Sequence, residues 1–129
     1  MGTYIYFQPN PNETGDCVVR SICKATGHGW FFVYDRLVEL GRNIQDIPTE
    51  PSCFSRYLES NGFKYHVCTV KKGGRRQTVS AFCSRHKKGT YILKCLCHVV
   101  CAVDGCYYDS WDSGSKLVYG YWKKAPKKP

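Results

Sequence analysis

The chain has 129 residues, enough for a single domain that buries a core without disulfide staples, and aromatic residues make up 15% of it, as expected of a packed globule. Its formal net charge of +9 suits an acidic partner, although charge by itself governs association and solubility rather than fold. No run of about 18 apolar residues is present, so the sequence predicts no membrane-spanning helix and no membrane partner.

The nine cysteines do not predict a disulfide framework. Their number is odd, and the residues after Met1 have neither the basic segment nor the long apolar segment of a secretory signal. We therefore expect a cytoplasmic protein whose thiols stay reduced.

Apolar spacing and turn residues divide the chain into helices first and strands afterwards. Helices are predicted over 17–25, 30–40, 53–60 and 79–86, with N-caps at Asp16, Ser52 and Thr78 and stops at Gly27, Gly41 and Gly62. Strands are predicted over 4–8, 63–70 and 118–124, with a hairpin over 91–111 between the last two. Helices that pack on an antiparallel sheet define an α+β fold.

The hairpin is predicted by Asp104-Gly105, which stands between two β-branched and aromatic runs. With a two-residue turn, one face carries His98, Val100, Ala102, Tyr107, Asp109 and Trp111. His98 and Asp109 are then diagonal neighbours within hydrogen-bonding reach. A three-residue turn would bring Asp112 to the face of His98 instead, so both carboxylates stay open as its partner.

Cys17 is predicted to lie in the first turn of its helix, where unpaired backbone N–H groups and the helix dipole favour a thiolate. Arg20, one turn later, is expected to form a structural ion pair with Asp16 or Glu13. A cysteine activated in this way, a histidine and a carboxylate are the components of a nucleophile, a general base and a group that orients the base.

Three segments carry a family resemblance: Gly-Asp-Cys-Val-Val-Arg at 15–20, His-Val-Val at 98–100 and Val-Asp-Gly-Cys-Tyr-Tyr-Asp-Ser-Trp-Asp at 103–112. Together with their order along the chain, they resemble the papain-like cysteine peptidase fold in its minimal form. They look most like a group of small papain-like proteins of bacteriophage and prophage genomes, akin to the bacteriocin leader peptidases. The resemblance covers nearly the whole chain. It implies one papain-like domain over residues 1–124 before a basic tail at 125–129, and a catalytic triad of Cys17, His98 and Asp109.

Papain-like enzymes also use a side-chain amide before the cysteine to stabilise the oxyanion. The usual glutamine is nearer its cysteine than Gln8 is to Cys17, which leaves Gln8 and Asn10 as equal candidates and Asn12 as the third. Tyr107 and Trp111, beside His98 on the hairpin, are expected either to line a substrate cleft or to cover the histidine from water.

A zinc site is the competing use of the same region, because thiolate and imidazole are the ligands that zinc prefers. The cluster is Cys95, Cys97, His98 and Cys101. On a strand, however, the two sulfurs of Cys-x-Cys lie on the face opposite His98, and no Cys-x2-Cys pair is present. We therefore expect no metal and no cofactor.

The sequence thus predicts a thiol-dependent hydrolase, a cysteine peptidase that cleaves a peptide or isopeptide bond in a peptide or protein substrate. If the protein is phage-encoded, we expect it to work in the cytoplasm of the host cell. Deamidation of glutamine and acyl transfer are alternative reactions of the same groups. The competing hypothesis is a non-catalytic, phage-type interaction module that binds an acidic protein or nucleic acid. Its contacts would come from the basic segments at 71–76, 85–88 and 123–128.

Overall fold

The computed structural model describes residues 2–126, which form four α-helices and a six-stranded mixed sheet. In chain order the elements are β1 (Thr3–Tyr6), α1 (Cys17–Thr26), α2 (Trp30–Ile44), α3 (Pro51–Ser60), β2 (Phe63–Val67), α4 (Val79–Arg85), β3 (Thr90–Cys95), β4 (His98–Val103), β5 (Cys106–Asp109) and β6 (Gly120–Lys124). The strands lie in the order β1-β5-β4-β3-β6-β2. The predicted α+β class is confirmed.

The sheet lies between two helical layers, and alternate residues of its central strands face each layer. Val99 and Cys101 of β4 belong to the core cluster that contains α1, α2 and α3. Val100 and Ala102 of the same strand belong to a second cluster, which contains α4. Both faces of β4 are therefore buried, and His98 lies at the start of this buried strand.

The predicted hairpin is confirmed over β4 and β5, with Val103 opposite Cys106 and Ala102 opposite Tyr107. Its first run is not one strand, because a turn at Leu96 and Cys97 divides it into the antiparallel β3 and β4. Asp104 and Gly105 have φ angles of 49° and 84°, as the primed two-residue turns of hairpins require. A local sequence signal thus determines which side chains of the two strands can meet.

The sheet is mixed rather than purely antiparallel, because β1 pairs with β5 in parallel. The predicted antiparallel sheet is wrong at this edge, since a strand that precedes all the helices can pair only over a long range, and nothing local indicates its direction. Tyr6 is the register partner of Asp109, and Phe7 N donates to Asp109 O over 2.8 Å. The chain after β1 therefore passes the end of β5 on its way to α1.

Gly41 does not end the second helix as predicted. It is buried inside α2, which continues to Ile44 and ends at Gln45 with a φ of 56°. A Cβ atom at position 41 would lie 2.7 Å from Asp46 O and 3.2 Å from the Pro48 ring. The glycine therefore permits the following loop to pack closely against the helix.

Of the three predicted N-cap positions, Thr78 and Asp16 are confirmed and Ser52 is wrong. Thr78 caps α4 as expected, since its Oγ1 accepts from Ala81 N over 3.1 Å. Ser52 lies within the first turn of α3 and donates to the Asp46 carboxylate instead. Asp16 occupies the N-cap position of α1 without making a side-chain capping bond, because its carboxylate has other partners that are described below.

Some predicted strands are shorter in the structure: β1 ends at Tyr6, β2 ends at Val67 and β6 begins at Gly120. The segment before β6 is taken up by other contacts, since Val118 N donates to Gln77 O and Cys68 N donates to Tyr119 O. Ala125 N still donates to Gly62 O, while the lysines of the predicted tail at 127 and 128 lie outside the described residues. Within residues 2–126, no helix has the length and apolarity to cross a membrane.

We expect Gly41→Ala to destabilise the protein by about 1–3 kcal/mol, because the added methyl group meets the Asp46 carbonyl and must displace the loop. Helix propensity alone predicts the opposite sign, a gain of about 1 kcal/mol. Urea denaturation followed by circular dichroism measures the difference. Asn43→Ala, at an exposed position of the same helix, is the matched control and should change the free energy of unfolding by less than about 0.5 kcal/mol. A stabilised Gly41→Ala variant would contradict the close-packing role.

Candidate active site

Cys17 is the first residue of α1 and is half-buried at one end of a cleft of about 370 Å³. The cleft lies between the start of α1, the start of α3 and the turn from β3 to β4, and its lining includes Val18, Phe54, Lys94, Cys97 and His98. The predicted position in the first helical turn is confirmed. The thiol is therefore accessible from solvent on the side where His98 also lies.

His98 is the first residue of β4, and its ring meets the end of β5. Its Nε2 lies 2.7 Å from Asp109 Oδ2, so the predicted hydrogen bond is present. Because Nε2 is engaged in this way, Nδ1 is the ring nitrogen left for Cys17. The His98 side chain is only 8% exposed, and the Trp111 ring lies 5.0 Å from the imidazole between centroids.

Asp109 is fully buried at the end of β5, and donors surround its carboxylate. Besides His98 on Oδ2, Ser113 Oγ donates to the same oxygen over 2.6 Å. On Oδ1, the Ser110 backbone N–H and Arg20 Nη2 both donate over 2.8 Å. The carboxylate is thus held in one orientation and charge-compensated, which is what a buried anion needs.

Arg20 connects this carboxylate to the start of α1. Its side chain is 2% exposed, and Nη1 contacts Asp16 Oδ1 at 2.5 Å while Nη2 contacts Asp109. Asp16 in turn accepts from Trp30 Nε1 over 2.8 Å. The predicted ion pair with Asp16 is present, but the link to Asp109 was not predicted. The one sequence signal for this link is that Arg20 lies on the same helical face as Cys17, since residues three apart are neighbours on a helix.

The two candidate reactive groups shift each other's protonation. Burial raises the pKa of the Cys17 thiol, but hydrogen bonds with His98 and the Val99 backbone and the nearby positive charges outweigh it, so the pKa lies below its ordinary value. Burial lowers the pKa of His98, but hydrogen bonds and negative charge at Asp109 and Cys17 outweigh it and raise the pKa to about 9. Both directions favour a thiolate beside an imidazolium, a pair that titrates as one system.

The other carboxylate that the sequence left open, Asp112, is not the partner of His98. It accepts from Tyr107 Oη over 2.5 Å and from Gly114 N over 3.0 Å. For Asp109, burial raises the pKa, but the hydrogen bonds to His98 and Ser113 and the positive charges beside it keep the pKa below its ordinary value. Asp109 is therefore ionised at neutral pH, where His98 carries its proton.

The structure contradicts the prediction for one of the two candidate cleft residues, Tyr107. Tyr107 is 4% exposed and belongs to the core cluster around α4, where its ring packs beside Tyr4 and its hydroxyl donates to Asp112, and it is not part of the cleft lining. Trp111 follows the end of β5 and is 45% exposed, beside the His98 ring. It therefore shields the outer side of the imidazole.

The three candidate oxyanion donors occupy the loop between β1 and α1, and Gln8 lies nearest to the helix start by its contacts. Its Nε2 donates to Asp16 Oδ1 over 3.3 Å and to Glu13 O over 3.1 Å. Asn10 Oδ1 accepts from the Asn12 backbone N–H, which stabilises the loop, and Asn12 is exposed. Gln8 would have to exchange one of its present contacts to serve an oxyanion.

The remaining cysteines differ in kind from Cys17. Burial raises the pKa to about 12 for Cys23, Cys83 and Cys95. Cys95 and Cys101 belong to different core clusters, on opposite faces of the sheet. In the part of the chain that the structure describes, no group of three or more histidine, cysteine or acidic side chains has a metal-binding arrangement.

We expect Arg20→Lys to cost about 2 kcal/mol of stability, because an ammonium group cannot bridge Asp16 and Asp109 as the guanidinium fork does. The free energy of unfolding in urea measures this loss. Arg36→Lys is the matched control, since Arg36 pairs with Glu39 on an exposed surface where the same substitution should cost less than about 0.5 kcal/mol. Equal losses in the two variants would show that the buried bridge has no special role.

Comparison of the chain with protein-family models, with curated proteins and with solved structures gave no match.

Proposed function

We propose that this protein is a papain-like, thiol-dependent hydrolase that cleaves a peptide or isopeptide bond through Cys17, His98 and Asp109. The observation that carries the proposal is the chain of alternating charge from Asp109 through His98 to Cys17, which ends at a thiol beside an open cleft. A thiol that needs only a structural role gains nothing from a lowered pKa, and perturbed groups in a cleft favour a catalytic site.

In the first half-reaction, the Cys17 thiolate adds to the substrate carbonyl carbon, and the carbonyl oxygen takes up the negative charge. His98, as the imidazolium, then donates its proton to the departing amine nitrogen while the C–N bond breaks. The products are a free amine and a thioester on Cys17. Asp109 keeps the imidazole oriented and stabilises its charged form, as the carboxylate of a triad does.

In the second half-reaction, neutral His98 removes a proton from a water molecule as its oxygen attacks the thioester carbonyl. Collapse of the tetrahedral intermediate breaks the C–S bond and releases a carboxylic acid. The thiolate and the imidazolium are restored together. His98 alternates between acid and base, and a raised pKa suits the acid step because it keeps the proton available at neutral pH.

The start of α1 supplies the positive end of a helix to the oxyanion. Asp16 makes no side-chain cap there, because Arg20 and Trp30 occupy its carboxylate. Backbone N–H groups of the first turn are therefore available to the substrate oxygen. Gln8, which contacts Asp16, is the side-chain amide best placed to join them.

We infer that the protein works in a reducing compartment such as the cytoplasm. All nine cysteines are free in the structure, among them the exposed Cys97 in the same cleft as Cys17. Oxidising conditions would convert the proposed nucleophile to a disulfide or a sulfenic acid.

We expect the rate of Cys17 alkylation by iodoacetamide to reach its maximum below the pH at which an ordinary thiol does, whose pKa is about 8.5. In His98→Ala the rate should rise only at alkaline pH, because the hydrogen bond and the positive charge that favour the thiolate are lost. Peptide mass spectrometry after timed quenching measures each cysteine separately.

Cys97 is the internal control, since it is more exposed than Cys17 and lies in the same cleft. A folded wild-type protein in which Cys17 reacts no faster than Cys97 at neutral pH would overturn the hydrolase proposal.

We expect wild type to release a burst of nitrophenolate from p-nitrophenyl acetate, with one acetyl group left on Cys17, because this ester tests acylation without a known substrate. Gln8→Ala should slow acylation by about 100- to 1,000-fold if its amide serves the oxyanion. Stopped-flow absorbance and intact-protein mass spectrometry follow the two products.

Asn12→Ala is the matched control in the same loop, because the Asn12 side chain is exposed and should leave the burst rate unchanged. Asn10→Ala completes the set. A loss in the Asn10 or Asn12 variant with full activity in Gln8→Ala would transfer the oxyanion role to that asparagine. A burst that survives Cys17→Ala would remove the thiol from the chemistry.

A further inference from the structure

Charge is segregated along this chain. The sequence contains no aspartate or glutamate between Glu59 and Asp104, and none after Asp112. The first of these segments is rich in basic residues: Lys64, Lys71, Lys72, Arg75, Arg76, Arg85, Lys87, Lys88 and Lys94. This segment builds β2, α4, β3 and β4, and most of its basic residues lie in α4 and the loops on either side of it.

Within that part, Arg75, Arg76 and Arg85 line one cavity of about 150 Å³. It lies between the loop after β2 and the end of α4, and no carboxylate is part of its lining. Gln77 Oε1 accepts from Arg85 Nη1 over 3.4 Å, which turns that guanidinium toward the loop. Three guanidinium groups at one cavity repel one another unless an anion is bound among them.

Arg76 forms a wall of this cavity and is held in place by several contacts. Its Nη1 donates to Cys68 O over 3.1 Å and to Val118 O over 3.2 Å. The guanidinium also lies 4.2 Å from the centre of the Tyr119 ring, which is 38% exposed. Because backbone carbonyls and an aromatic ring hold it, Arg76 is already ordered before any ligand arrives, which lowers the entropic cost of binding.

A second feature on the same side of the sheet is independent of the cavity. Lys64 of β2 and Lys123 of β6 are register partners. Their neighbours Tyr65 and Trp122 face the α1 layer, so alternation places both lysines on the α4 side. Like charges directly opposite each other destabilise a sheet. A bound anion would offset this cost.

We propose that the basic face, formed by Lys64, Arg75, Arg76, Arg85 and Lys123, binds nucleic acid through its phosphates. Guanidinium forks match phosphate oxygens in geometry and charge. A cavity and a separate lysine pair on one face suit a ligand with repeated negative charges, and the exposed ring of Tyr119 offers a surface on which a base can stack. The α1 layer, with Cys17, lies across the sheet from this face.

The test measures fluorescence anisotropy with a fluorescein-labelled oligothymidylate over a series of salt concentrations. Wild type should bind, and its affinity should fall with salt. Arg75→Gln/Arg85→Gln should weaken binding at least about tenfold and reduce the salt slope by about 0.7 for each lost phosphate contact. Arg76 is left unchanged, because its bonds to Cys68 and Val118 support the fold.

Arg36→Gln/Arg42→Gln is the matched control, since it removes the same charge from exposed positions of α2. It should keep nearly the wild-type affinity. An equal loss of affinity in both double variants would show that only net charge matters. Polyglutamate that competes as well as unlabelled oligothymidylate would show that the ligand is an acidic protein. Either result overturns the proposal, and so does an absence of binding. Cys17→Ala should bind normally, so the outcome is separate from that of the hydrolase tests.

Discussion

The buried carboxylate of Asp109 is the group on which the site depends. It is fully enclosed, and Arg20, Ser113, the Ser110 backbone and His98 satisfy its oxygens. Because Arg20 also binds Asp16, positive and negative groups alternate from the start of α1 through β5 and back to the cleft. The interactions that would make Cys17 reactive are therefore the same ones that hold α1, the helix that carries Cys17, against the sheet.

The arrangement also explains why the first turn of α1 lacks a side-chain cap. Asp16 stands where a cap belongs, yet its carboxylate is directed to Arg20 and Trp30. A capped helix start would be somewhat more stable by itself, and a cap is worth about 1 kcal/mol. Here the Asp16 side chain gives up that stability for its bonds to Arg20 and Trp30, which connect the helix start to the rest of the site.

Local signals were sufficient for the hairpin and insufficient for the network around it. Asp104-Gly105 favours a two-residue turn, and in that turn His98 meets Asp109. The observed register excludes Asp112, the partner that a three-residue turn would have given. The bridge from Arg20 to Asp109 needs α1 to pack beside β5, which no local pattern encodes. The prediction that Gly41 ends α2 is wrong for the same reason. A glycine that ends a helix and a glycine that lets a distant loop pack against the helix give the same local signal in the sequence.

The long range of these contacts has a consequence for synthesis of the chain. Arg20 and Asp109 are separated by 89 positions, and the loop with Gln8 reaches its place only when β1 pairs with β5. Cys17 leaves the ribosome long before its histidine and carboxylate exist. Until the last third of the protein is made, His98 and Val99, whose hydrogen bonds lower the pKa of the Cys17 thiol, are absent from the chain.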